Sequence, residues 1–546
     1  MSFLKLVRDE MHGSMPKLLV MSGLGGISNA SILAAINTGV QEAGTGQKPG
    51  LWAGALFVIA LFLFMKTQQF VTITATAEIE AIIHKIRIRI MNQIRRSELL
   101  EMERIGRARI VASVTSDTAI LTQASNMLCF TVQGAVLVFF VGFYVAYLSL
   151  AAFLLTLFIF AGAATVFHYK SGRLARQKAE SAAWERRLFD RLIDFLDGFK
   201  EVRLNKLRSD DLFADALEVS KTAANIKIRT QAETFKMIVL TQISMYILLG
   251  AVVFVAPNLS DSLGGTSLAK ATTALLFVVG ACFGLVQSIP ILLNANAAAD
   301  RIGRLEEALR DIVADTEPRE IAAAPKHFDR IEMHNIVFRY TDKFSDTVFK
   351  IGPIDFNLKS GELIFITGGN GSGKSTFLRV LSGLYPPDSG EVLLDGQPVT
   401  NATRDHYRGL MSAIFFDYHL FQRLYGIEAD PAEIERLLAK FRLTDKTSLT
   451  NGEFRTLDLS GGQRRRLALI VSMLEKRPIM ILDEWTAEQD PEFRRKFYDE
   501  LLPEMLQAGA TLVVITHDDR YLDELHLPAR RIRFDEGRIV EERTLG

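Results

Sequence analysis

Six stretches of this chain carry almost no charge and approach the length that crosses a lipid bilayer: residues 18–40, 51–65, 129–148, 150–168, 237–258 and 272–293. Hydrocarbon offers backbone amides no partner, and a helix satisfies them internally over about 20 residues. The run 18–40 has the weakest hydropathy because it is rich in Gly, Ser and Asn, residues that favour close helix packing in lipid. A cleaved signal peptide is the competing reading of that run, and five further runs favour an uncleaved first helix. Mean hydropathy is +0.17 although 23% of residues are charged, so the apolar residues are concentrated in these runs. Lys+Arg and Asp+Glu both total 63, leaving no basic surplus to attract nucleic acid. Cys129 and Cys282 both lie in apolar runs and read as small core side chains, with no disulfide framework and no metal site.

The spacing of the runs sets an orientation. The first, third and fifth gaps are short. The second and fourth are about 60 residues each and hold nine and fifteen Lys/Arg, which places them and both termini in the cytoplasm. Few Pro or Gly interrupt these long loops, so the membrane helices are expected to continue into the cytosol. Each loop has one local break, at Ile105-Gly106-Arg107 and at Asp197-Gly198-Phe199, where a short transverse helix is expected; an ordinary glycine-marked helix end is the alternative. Asn37, Gln133, Gln242, Gln287 and Asn294 are the polar residues within the runs or at their ends, suited to bonds between helices or to lining a substrate path. No run has a central Asp, Glu, Lys or Arg, which disfavours a proton relay. Pro290 is expected to kink the last helix.

Residues 314–325, rich in Ala, charge and Pro, read as a linker, and from Ile331 to Tyr340 the pattern alternates as a strand. The next landmark is Gly368-Gly-Asn-Gly-Ser-Gly-Lys-Ser-Thr376, between the apolar strand 363–366 and a helical pattern. This is a phosphate-binding loop in its proper context. Glycines Gly368, Gly371 and Gly373, with Asn370 and Ser372, let backbone N–H groups converge on phosphate oxygens; Lys374 reaches the β- and γ-phosphates, Ser375 ligates magnesium, and Thr376 opens the helix. The chain therefore binds a nucleoside triphosphate.

About a hundred residues later Ile479-Met-Ile-Leu-Asp-Glu484 gives an apolar strand ending in two acids. Neighbouring side chains on a strand face opposite ways, so Asp483 is assigned to magnesium and Glu484 to deprotonating the attacking water. Just before it, Ser460, Gly461, Gly462 and Gln463 form a capped helix start whose amides also suit a phosphate.

With these motifs in place, residues 331–540 resemble the ATPase domain of ABC transporters, and the first 300 resemble the six-helix membrane domain of ABC exporters. Leu459-Ser-Gly-Gly-Gln463 matches the family's defining signature. The resemblance implies a multidomain fold: an all-α six-helix transmembrane domain with long cytoplasmic extensions (1–310), a linker (311–328), and an α/β P-loop ATPase domain (329–546). It implies ATP and Mg2+ as ligands and a head-to-tail homodimer, with each ATP held between the phosphate loop of one copy and the signature of the other. It places Tyr340 against adenine, His517 on the γ-phosphate and Asp490 along the dimer interface. Two departures stand out. Phe416 occupies the position of the family's magnesium-reaching glutamine, with Asp417 the adjacent candidate substitute, and Trp485-Thr-Ala-Glu-Gln-Asp490 differs from the commoner small-residue loop. Both features resemble the cyclic-peptide and siderophore exporter branch, the syringomycin and pyoverdine secretion type.

The function this implies is ATP-driven export of a peptide-like or siderophore-like substrate across a bacterial inner membrane. Uptake of a peptide or cofactor, and a membrane-bound ATP sensor that moves nothing, are the rival readings; a soluble ATPase acting on ribosomes or DNA is excluded by the apolar runs. No leader-removing protease domain precedes the first run, so the cargo is expected to arrive already processed.

Overall fold

The computed structural model describes residues 3–10, 15–44, 50–259, 265–313, 327–341 and 348–545. They group into two compact units: Met1–Asn92 with Ala108–Ala308, and Gln93–Arg107 with Leu309–Gly546. The linker expected at 314–325 lies outside the described residues.

Six long helices carry the six apolar runs: Met15–Gly44, Leu51–Arg96, Thr118–Leu148, Leu150–Asp197, Lys206–Phe254 and Gly265–Val313. Among the described residues five are long and apolar enough to cross a membrane, and the sixth run is the apolar start, Leu150–Val166, of a 48-residue helix. Helix Leu51–Arg96 has 46 residues. At 1.5 Å per residue that is about 69 Å, over twice the hydrocarbon thickness. One stripe holds it in place: Thr67, Val71, Ala75, Ile79, Ile82, Ile83, Ile86 and Ile90 are all buried, at the three- and four-residue spacing of a single helix face. Small residues permit close approach in the apolar part. A Cβ on Gly26 would lie 2.2 Å from Val136 Cγ1 of the facing helix. Beyond it, ion pairs take over, with Asp117 buried and bound by Arg301 at 2.6 Å, and Arg89 bound to Glu10 at 2.7 Å.

Both expected breaks are short helices. Gly106, at φ 87°, ends Leu99–Ile105, and a π-helical turn, Ser113–Asp117, precedes the next long helix. Gly198 precedes Phe199–Leu204, after which Asn205 accepts a bond from Arg208 N–H at 3.1 Å. Helix Gly265–Val313 is continuous, with Pro290 inside it.

The first short helix packs within the second unit. Leu99 and Leu100 lie against that unit's core, Glu98 pairs with Arg408, and Tyr385 donates to Glu103 at 2.7 Å. The second unit is built on strands β1 (Arg330–Thr341), β2 (Val348–Lys359), β3 (Leu363–Gly368), β4 (Ser389–Leu394), β5 (Gln397–Pro398), β6 (Met411–Ile414), β7 (Leu449–Thr450), β8 (Glu453–Phe454), β9 (Ile479–Asp483), β10 (Thr511–Ile515), β11 (Ala529–Asp535) and β12 (Arg538–Leu545). The main sheet runs β12-β11-β3-β10-β9-β6, parallel except for its antiparallel edge β12. Its central strands are covered on both faces, hence their unbroken apolar sequence. Ile364, Ile366, Ile479, Ile481, Val513 and Ile515 face one core, shared with the β2-β1-β4-β5 sheet. Leu363, Phe365, Met480, Leu482, Leu512 and Val514 face the other, under helices such as Gly461–Leu474.

Candidate functional site

Parallel strands of this kind present ligands at their carboxyl ends, where loops replace the ladder. At two positions the loop after β3 leaves no room for a side chain. A Cβ on Gly368, at φ 142°, would sit 2.2 Å from the carbonyl oxygen of Phe534, and one on Gly373, at φ 100°, would sit 2.8 Å from Ile351 Cγ2. Gly373 caps the helix Lys374–Leu381. Lys374 is buried, and its Nζ donates to the carbonyls of Gly368 at 3.0 Å and Gly369 at 2.9 Å. Burial lowers its pKa, opposed by the charges of Glu484 and Asp483. Ser372 is buried with its hydroxyl unpartnered, whereas Asn370, Gly371 and Ser375 are exposed and Thr376 is half-buried.

Asp483 ends β9, is 2% exposed, and has no hydrogen-bond partner for Oδ1. Burial pushes its carboxyl above the ordinary range, assisted by the charge of Glu484 and opposed by bonds from the Ser375 hydroxyl and the Phe416 N–H. Glu484 follows in the left-handed region, φ 49° and ψ 37°, which a glutamate rarely adopts. Its N–H donates to Ile515 at 3.1 Å, and its Oε1 is 3.0 Å from His517 Nε2. Ser375, Arg379, Phe416, Asp417, Asp483 and Glu484 together line a cavity of about 410 Å³. Asp417 is 3.5 Å from Arg379, so the acid beside Phe416 reaches the cavity already paired with a cation.

The remaining sequence candidates lie elsewhere. Tyr340 is the penultimate residue of β1, opposite Phe349, and is partly exposed. Ser460 and Gln463 form a reciprocal cap: the serine oxygen accepts from Gln463 N–H at 3.4 Å and the Gln463 Oε1 accepts from Ser460 N–H at 3.1 Å. Gly461 and Gly462 allow Glu488 to come close, since Cβ atoms there would meet it at 2.4 Å and 2.7 Å. Among the described residues, no hydrogen bond of 460–463 reaches the phosphate loop; Gln489 donates to Gly462 at 3.1 Å. Asp490 caps the helix Pro491–Lys496, accepting from Phe493 N–H at 2.8 Å, and pairs with Arg466 at 2.5 Å. Sequence reasoning passed over Arg465, whose guanidinium is buried and donates to the Glu484 carbonyl. It is the middle of three consecutive arginines after the signature, with nothing local to mark it as inward-facing.

A phosphate loop, a strand-end acid pair and a histidine gathered at one end of a parallel sheet define a P-loop ATPase. A family model described as ABC transporter matches residues 351–487. The ATP-binding protein SyrD of Pseudomonas syringae pv. syringae is 32% identical over 543 residues, covering 96% of this chain and 93% of that protein. The beta-(1-->2)glucan export ATP-binding/permease protein NdvA of Agrobacterium fabrum is 28% identical over 280 residues, which are 49% of this chain and 46% of that protein. A bacterial Atm1-family ABC exporter solved with ATP bound superposes with a TM-score of 0.75 over 98% of this chain and 95% of that one; at 18% identity it shows the fold. The chain belongs to the ABC transporter family. It is an integral membrane protein that binds ATP and couples its hydrolysis to transport. The family resemblance is borne out, and the SyrD match gives it nearly the full length of the chain.

Proposed function

We propose that two copies of this chain form an exporter in the bacterial inner membrane that uses ATP to move a peptide-like or siderophore-like molecule out of the cytoplasm. The observation that carries the dimer is the separation of the two phosphate-binding elements. Lys374, Ser375, Asp483, Glu484 and His517 gather at one place, while Ser460 and Gly461 lie exposed with their bonds directed elsewhere. A second copy of the same chain, related by a two-fold axis, supplies the missing half to each site.

Within a site, Lys374 pairs with the β- and γ-phosphates and the phosphate-loop amides cradle them. The unpartnered Oδ1 of Asp483, beside the Ser375 hydroxyl, fits a magnesium ligand set, and these two residues would hold the ion. Bound there, magnesium supplies neutralisation of phosphate charge. Glu484 takes the proton of the attacking water, held in orientation by His517. Tyr340 stacks on adenine, and Asp490 fixes the loop that follows the base. ATP drives opening of the membrane helices to the outside only by binding the closed arrangement more tightly than the open one.

The reading includes six spans with both termini and the ATPase unit in the cytoplasm, supported by the six long helices and the Lys/Arg-rich loops. A cavity of about 410 Å³ in the membrane unit supports a neutral, hydrogen-bonding cargo. Asn29, Gln68 and Gln133 line it with Phe64, Phe130 and Phe277, and no described residue in its wall is charged. The test is ATP-dependent accumulation of cyclic peptides, lasso peptides and siderophores in inside-out vesicles. Accumulation of at least one class is expected; uptake only in right-side-out vesicles, or ATPase activity unmoved by every class, overturns the reading.

A further inference from the structure

Glu484 holds a backbone conformation that an L-residue adopts only when its surroundings impose it, φ 49° and ψ 37°. Two backbone bonds act on it: its N–H donates to Ile515 at 3.1 Å, and its carbonyl accepts from Ala487 N–H at 3.2 Å. The third bond comes from a side chain. Arg465, 2% exposed, donates from one terminal nitrogen to the same carbonyl, and the other nitrogen lies 3.4 Å from Glu488. The backbone carbonyl of Arg465 accepts the indole N–H of Trp485 at 2.8 Å. Arg465 thus grips the Glu484–Trp485 link from two directions. Its guanidinium carbon lies 5.4 Å from the centre of the Phe416 ring, while the Phe416 N–H bonds the Asp483 carboxylate. One residue, Phe416, therefore touches both what holds Asp483 and what holds Glu484.

We propose that Arg465, resting on Phe416, is a positioning residue for Glu484: by fixing the Glu484 carbonyl it sets the direction in which the carboxylate leaves the strand. With the Phe416 ring under Arg465, the base is held from its backbone side. The inference rests on Glu484 being the base.

The full-length chain in lipid nanodiscs provides the test, with Arg465→Met, Arg465→Lys, Phe416→Leu and Glu484→Gln compared for kcat, KM, ATP affinity and thermal midpoint. Misplacing a catalytic group by about 1 Å costs up to about 100-fold in rate. Arg465→Met is therefore expected to lower kcat by about 10- to 100-fold while ATP affinity stays within about threefold. Arg465→Lys, which restores a donor to the carbonyl, recovers most of that loss. Phe416→Leu lowers kcat by a smaller factor and adds little on top of Arg465→Met. An unchanged kcat in Arg465→Met overturns the proposal, as does a parallel fall of kcat, affinity and thermal midpoint that Lys does not rescue. Should the Met variant fail to fold, an unchanged kcat in Phe416→Leu overturns it equally. Glu484→Gln separates the two levels. If it still turns over ATP, the base assignment falls and this inference with it; if it is inactive while Arg465→Met is normal, only the positioning role falls.

Discussion

The membrane unit and the ATPase unit use the same residue types for different ends. Glycine in the long helices mostly meets nothing: Gly162, Gly250, Gly280 and Gly284 have open space where a Cβ would go, and Gly26 faces the side chains of Val136 and Phe140. In the phosphate loop two glycines at positive φ are crowded, Gly368 by the Phe534 backbone and Gly373 by the Ile351 side chain. Charge divides similarly. The membrane unit buries Asp117 as a tie to Arg301 between helices, whereas the ATPase unit buries Asp483 with one oxygen unpartnered. The first arrangement is complete within the chain. The second leaves one carboxylate oxygen open at the wall of the cavity.

The largest effect expected is on the site. Glu484→Gln should reduce ATP turnover by about 10³-fold, the range of a general base, with ATP affinity within about threefold of wild type. Residual turnover above a tenth of wild type, measured by phosphate release, would break the assignment. Next comes the glycine contrast. Gly368→Ala places a methyl 2.2 Å from a carbonyl at φ 142° and should cost about 3 kcal/mol together with ATP binding. Gly250→Ala, with nothing within 4 Å in a helix, should be neutral or gain roughly 0.5–1 kcal/mol. Similar thermal shifts for the two variants would remove the distinction drawn here.

Much of both units is legible in the sequence because the signals are local. Six apolar runs became six helices, Gly106 and Gly198 became breaks, and the strand–loop–helix around Lys374 stands as its spacing requires. What was not legible depends on residues far apart in the chain. Nothing local to Glu98 and Glu103 marks a partner, yet they pair with Arg408 and Tyr385, some 300 residues away, and 93–107 belong to the ATPase unit. Arg465 looks like one of three interchangeable arginines; only the fold turns it inward to Glu484. The π-turn at Ser113–Asp117 has no composition of its own and is visible only through the Asp117–Arg301 pair that it aims.

Smaller effects sharpen the charge contrast. Asp117→Asn leaves Arg301 without its buried partner and should cost about 2 kcal/mol, less than a fully buried pair because the Arg301 side chain is half exposed. Glu492→Gln, from an exposed pair with Arg442, should leave stability essentially unchanged. Equal denaturant midpoints for the two would contradict the buried tie. Asp490→Ala should cost about 1 kcal/mol by removing a helix cap, and Asn should retain most of it. The Phe493 N–H is the main cause holding the Asp490 carboxyl below its ordinary pKa. Its contribution is therefore complete above about pH 4 and is lost as pH falls through the lower folded value, so the Asp490→Ala penalty should shrink on strong acidification.

The central claim is that the phosphate loop of one copy and the signature of another make one working site. Lys374→Ala and Ser460→Arg should each abolish ATP turnover in homodimers. When the two variants are co-expressed and the mixed dimer is isolated by two affinity tags, one site combines both lesions and the other has none. Recovery of ATP hydrolysis in that mixed dimer is the predicted result. A mixed dimer that remains inactive while folded, or single chains in detergent that hydrolyse ATP at the wild-type rate, would contradict it.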